Sequence, residues 1–61
     1  MTDEKLKEKI KERFGINALQ IAIEERERQE DILKELKQLE GVSIRQIART
    51  TGVPQTRVWK A

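Results

Sequence analysis

The sequence predicts an all-α fold, a small four- to five-helix cluster ending in a helix-turn-helix. Three observations predict it. Apolar side chains recur at helical spacing in two separate stretches, glycines stand where helices should end, and residues 41–61 carry the offsets of two short helices about a tight turn. A chain of 61 residues, 36% apolar and 39% charged, buries only about 60% of its unfolded surface. One domain, residues 1–61, with a small core follows, built from helices that each bury one stripe.

The first helix runs from Asp3 to Phe14. Leu6, Ile10 and Phe14 form one apolar row, flanked by rows of Lys5, Lys9, Arg13 and Glu4, Glu8, Glu12. Gly15 stands where a left-handed C-cap is needed. Asn17 is placed to cap the next helix, with Gln20 completing a capping box and Ile16 and Ile21 forming a hydrophobic staple. A short helix over 17–22 is expected, with Leu19, Ala22 and Ile23 as its apolar face.

Residues 24–31 then offer eight positions without an apolar side chain. A helix could run straight through, but a stretch of about 12 Å with no buried contact is weakly held. Glu24, Glu25 and Glu27 suit the positive end of a new helix. A break near Ile23 and a scaffold helix over 24–40 are therefore predicted, with Ile32, Leu33, Leu36 and Leu39 as its stripe and Gly41 as its C-cap. The charge run reads as a solvated face, or else as part of a dimerising helix that uses the same leucines across a two-fold axis.

Residues 43–51 and 54–61 read as the helix-turn-helix; a plain helical hairpin with a glycine turn would explain the apolar residues but not the acid-free surface. Ser43 and Gln46 form a capping box, and Val42 and Ile47 a staple. Ile44, Ile47 and Ala48 share a face, and Ala48 is small where two helices must approach closely. Gly52 falls at the turn, where a positive φ favours glycine. Val53 enters the core, Pro54 suits the first position of the second helix, and Val58 and Ala61 return inward. Thr50 and Thr51 read as turn residues.

With Val58 and Ala61 inward, Thr56 and Lys60 lie opposite, Gln55 and Trp59 on one flank and Arg57 on the other. In a major groove, Gln55 suits a bidentate pair with adenine, Thr56 a thymine methyl or a phosphate, and Lys60 guanine or the backbone. Ser43, Arg45, Gln46, Arg49 and Arg57 are placed as phosphate contacts. Arg45 and Arg49, four apart, read equally well as a solvated pair. Trp59 either stacks on the scaffold helix or on another part of a larger protein, or sits at the DNA surface.

Charge agrees with this division. Residues 1–40 hold nine bases and eleven acids, whereas residues 41–61 hold four bases and no acid. Such asymmetry suits a polyanion. Cysteine, histidine and tyrosine are absent, which leaves no disulfide, thiolate chemistry or ordinary zinc site. No catalytic residue, metal or cofactor is assigned. A binding module rather than an enzyme is expected, with no small-molecule substrate. No apolar run approaches the roughly 18 residues of a membrane span, so no membrane partner is expected, and a cytoplasmic, nucleoid setting is.

The run from Leu33 to Val53, with Ser43, Arg45, Gln46, Arg49 and Gly52 as its motif positions, resembles the C-terminal segment of REP-associated tyrosine transposases and related bacterial transposases. The likeness extends more loosely back to Leu19. Those segments look like Trp-repressor and DnaA-type DNA-binding domains, and the motif is also similar to the C-terminal modules of serine recombinases. The resemblance implies double-stranded DNA as partner, with Gln55, Thr56, Arg57 and Lys60 carried over by place in the recognition helix. Catalysis is not implied, because the His-rich metal site and nucleophilic Tyr of such transposases have no counterpart here.

The expected function is DNA binding as a module of a transposase-like or regulatory protein. The chain is then either a DNA-binding piece of a larger enzyme or a stand-alone relative, and the recognition helix running out at Ala61 favours the piece. Two rivals stand beside it. One is a protein-interaction or dimerisation module using the scaffold leucines; the other is a small dimeric transcriptional regulator acting as a homodimer.

Overall fold

A computed structural model describes residues 1–61. It comprises α1 (Asp3–Phe14), a 3-10 helix (Ala18–Ile23), α2 (Arg26–Lys37), α3 (Ile44–Thr51) and α4 (Gln55–Lys60), with no strand. The all-α class is as the periodicity predicts. No helix is long and apolar enough to cross a membrane.

α1 begins and ends where its local signals place it. The Thr2 hydroxyl accepts from the Lys5 N–H at 3.2 Å, which satisfies one of the free donors of the first turn. At the other end Gly15 adopts φ 70° and returns its N–H to the Lys11 carbonyl at 2.9 Å. Leu6 and Ile10 are fully buried and Phe14 half-buried.

The next element departs from expectation in type and in face. The capping interaction is present, since Gln20 Oε1 accepts from the Asn17 N–H at 3.0 Å, but the helix that follows is 3-10. Three residues per turn put Ala18 and Ile21 on one side, and these are the residues buried. Leu19, Ala22 and Ile23, expected inward on an α-helical count, face solvent. Leu19 is 68% exposed and Ile23 82%.

α2 is shorter than the predicted 24–40. It starts at Arg26 behind Glu25 and closes at Gln38, where the N–H groups of Gln38 and Leu39 bond three residues back, to Glu35 at 3.1 Å and Leu36 at 3.2 Å. This tightening ends the helix before Gly41, which instead reverses the chain and accepts from the Met1 ammonium at 2.9 Å. The charge run is a solvated face, crossed by Arg28–Glu24 and Arg26–Glu30 pairs at 3.4 and 3.9 Å. Ile32, Leu33 and Leu36 are buried in the chain's own core and Leu39 packs partly against it. Three of the four stripe residues are thus spent on the chain's own core.

α3 and α4 are joined by the three residues Gly52 to Pro54. The Ser43 hydroxyl accepts from the Gln46 N–H at 3.1 Å, and Gly52, at φ 82°, donates to the Ala48 carbonyl at 2.8 Å. Pro54 stands one place earlier than predicted. It is the N-cap of α4, and its carbonyl accepts from Arg57 and Val58 at 3.0 and 3.1 Å. α3 touches every other element, and Ile47, Val53 and Val58 complete a core with Leu6, Ile10, Ala18, Ile21, Ile32, Leu33 and Leu36. Burial of each large side chain here contributes about 1.5–3 kcal/mol.

Candidate nucleic-acid interface

Val58 orients α4. It is fully buried, which turns Gln55, Thr56, Trp59 and Lys60 outward; all four are exposed. Trp59 is 70% exposed and does not stack on α2, so of the placements read from the sequence the scaffold contact is set aside. The far end of α4 is held by Lys37, whose ammonium donates to the carbonyls of Trp59 at 3.1 Å and Ala61 at 2.5 Å. A cation at a helix C-terminus opposes the partial negative charge there.

The five residues read as phosphate contacts fall into different environments. Arg45 is exposed and has no acid within ion-pair distance. Arg57 is also exposed, but its Nη1 donates to Gln29 Oε1 at 3.2 Å, so one terminal nitrogen of the guanidinium is pinned to α2. The Ser43 hydroxyl is occupied as the cap of α3. Gln46, read as a phosphate contact, is turned inward: it is only 8% exposed, and its amide donates to the Met1 carbonyl and, at 3.1 Å, to Asp3 Oδ1. Its side chain ties the N-terminal strap to α3 and does not close the capping box predicted with Ser43.

Arg49 is engaged as well. Its Nε and Nη2 donate to the two oxygens of Asp3 at 3.1 and 2.9 Å. The Arg49 hydrogen bond is the main reason that the Asp3 carboxyl ionises below the usual carboxylate range, and the Gln46 hydrogen bond adds to it. The same bond raises the Arg49 pKa. Asp3 therefore offsets one of the four positive charges of the acid-free segment. Both side chains remain solvent-accessible, at 61% and 40%, so Arg49 lies at the surface but is engaged by Asp3.

Beside α4, Arg26, Glu30, Thr56, Arg57, Lys60 and Ala61 line a shallow hollow. Three cations against one carboxylate keep it electropositive. The surface as a whole can donate hydrogen bonds and positive charge to an anion. It gathers no set of His, Cys, Asp or Glu able to hold a metal ion.

Two residues position this surface without having been read in that role from the sequence. Gln29, 2% exposed, donates to the Ile21 carbonyl at 2.8 Å and accepts from Arg57. It links the 3-10 helix, α2 and α4. Its position three, four and seven residues before Ile32, Leu33 and Leu36 placed it on the buried face, and that periodicity was the available signal. Thr51, expected to be a plain turn residue, is buried, donates to the Ile47 carbonyl at 2.7 Å and accepts from the Val53 N–H at 3.2 Å. Thr50 is buried too, and its hydroxyl has no partner.

No protein-family model, curated protein or solved structure matches the chain.

Proposed function

We propose that the chain binds double-stranded DNA, with α3, the Gly52 turn and α4 acting as a helix-turn-helix and α4 entering the major groove. One observation carries the reading. A segment with no acid of its own presents a helix that is locked by buried Val58 and displays Gln55, Thr56, Trp59 and Lys60 to solvent. Gln55 reads a base edge, Lys60 reaches guanine or a phosphate, and Thr56 touches a thymine methyl or a phosphate. Arg45 and Arg57 neutralise phosphates, with Arg57 held in place by Gln29.

The role of a DNA-binding module in a transposase-like or regulatory protein accords with the resemblance of residues 33–53 noted above, and implies a nucleoid location. A protein-interaction role through the scaffold leucines has less support, because Leu33 and Leu36 are fully buried.

The test is an anisotropy titration of the chain against a labelled random duplex at low and moderate salt, with a Gln55→Ala, Thr56→Ala, Lys60→Ala triple variant alongside. All three positions are exposed, so the variant should keep its helical circular dichroism while losing duplex binding. Undiminished binding by the folded triple variant, or binding indifferent to salt, would overturn the proposal.

A further inference from the structure

The 3-10 helix leaves an apolar surface that the DNA reading does not use. Leu19 and Ile23 project from it into solvent, and between this helix and α1 lies a depression of about 540 Å³ lined by Lys7, Lys11, Ala18, Leu19 and Ile23 among others. Lys7 and Lys11 on its rim have no acid within ion-pair distance. Glu8, the one rim acid, is outnumbered. Directly after Ile23 the chain continues into Glu24 and Glu25, and Glu25 is exposed and unpaired.

One face thus carries both halves of a contact: an apolar knob followed by acid, and an apolar hollow rimmed by bases. A two-fold interface requires this self-complementarity, because each copy must offer the patch that the other fills. We infer that this face seats a second copy of the chain, with Ile23 of each copy in the hollow of the other and Glu25 of one facing Lys7 and Lys11 of its mate.

The molecule measures 25 × 22 × 17 Å and the patch is only part of one face, so such a contact lies at the small end of specific interfaces. Association is accordingly weak and concentration-dependent. A β-carbon at position 52 would lie 3.9 Å from Ala22 Cβ and 4.0 Å from Leu19 Cδ2, so the 3-10 helix that carries this face adjoins the α3–α4 turn. Self-association is measured without DNA and stands or falls apart from the DNA reading.

The experiment is sedimentation equilibrium of the full chain from micromolar to near-millimolar concentration. The wild type should move from one chain mass towards two. Ile23→Asp, at a position where exposure leaves the fold intact by circular dichroism, should raise the dissociation constant about tenfold or more, since the change occurs twice per contact. Lys11→Glu should weaken association, and adding Glu25→Lys to it should restore it. A wild type that stays monomeric throughout, an Ile23→Asp variant that associates normally, or a failed charge rescue would each overturn the inference.

Discussion

If the chain binds DNA as proposed, Asp3 offers a sharp test of which cations meet phosphate. In the free protein Arg45, Arg57 and Lys60 are the exposed bases of residues 41–61 without an ion-pair partner, whereas Arg49 is held by Asp3 at 2.9 Å. Each phosphate neutralised contributes a log–log salt slope of about −0.9. Three contacts therefore predict a slope of about −2.7, a loss of about 40-fold in affinity between roughly 50 and 200 mM salt. Asp3→Asn removes the competing carboxylate but keeps an oxygen that can accept from Gln46. With Arg49 released as a fourth contact the slope should steepen to about −3.6, about 150-fold over the same range, with tighter binding at low salt. Anisotropy titrations of both proteins at four salt concentrations measure the two slopes, and melting curves confirm that both are folded. A double Asp3→Asn, Arg49→Gln variant should return to about −2.7. Equal slopes for wild type and Asp3→Asn would refute the argument that Asp3 withholds a phosphate-binding arginine.

Three further outcomes are expected. Asp3 ionises below its usual range in the folded chain, so its contribution to stability is complete above the unfolded carboxylate value of about 3.9 and is lost as pH falls through the depressed folded value. The gap in melting temperature between wild type and Asp3→Asn should close on acidification below about pH 4, and a gap constant to pH 2 would contradict this. Gln29→Leu leaves the Ile21 carbonyl without its 2.8 Å donor and should cost about 1–3 kcal/mol in urea unfolding; a neutral result would show that the bond contributes nothing net. Gly52→Ala should cost about 1–2 kcal/mol through the positive φ alone, because the added carbon meets its neighbours at ordinary contact distance. Gly15, also at positive φ and with nothing within 4 Å, should respond to alanine by a similar amount in the same unfolding assay, and a much larger loss at Gly52 would point to steric conflict instead.

The parts of the fold legible in the sequence were those whose causes lie within a few residues. The bounds of α1, the left-handed glycines at 15 and 52, the Ser43 cap and the burial of Ile47, Val53 and Val58 all follow from capping chemistry and helical period. The misplaced face of residues 18–23 shows the limit of that reasoning. A six-residue segment has too few turns for its period to declare itself, and the choice of three over 3.6 residues per turn exchanged which side chains went inward. α2 ended early because its last turn tightened through bonds to carbonyls three residues back, a choice that the glycine at 41 did not reveal.

For the candidate interface, the sequence by itself determined that one helix near the C-terminus turns Gln55, Thr56, Trp59 and Lys60 away from a buried Val58, in a segment free of acid. The availability of its charges was decided by tertiary structure. Asp3 meets Arg49 across 46 positions, Gln46 meets Met1 across 45, and Gln29 meets Arg57 across 28. Such pairings leave no periodic trace, since any of eleven acids can in principle pair with any of thirteen bases. Only the packing of α1 and α2 against α3 and α4 selects among them, and so decides which positive groups remain free to meet an anion.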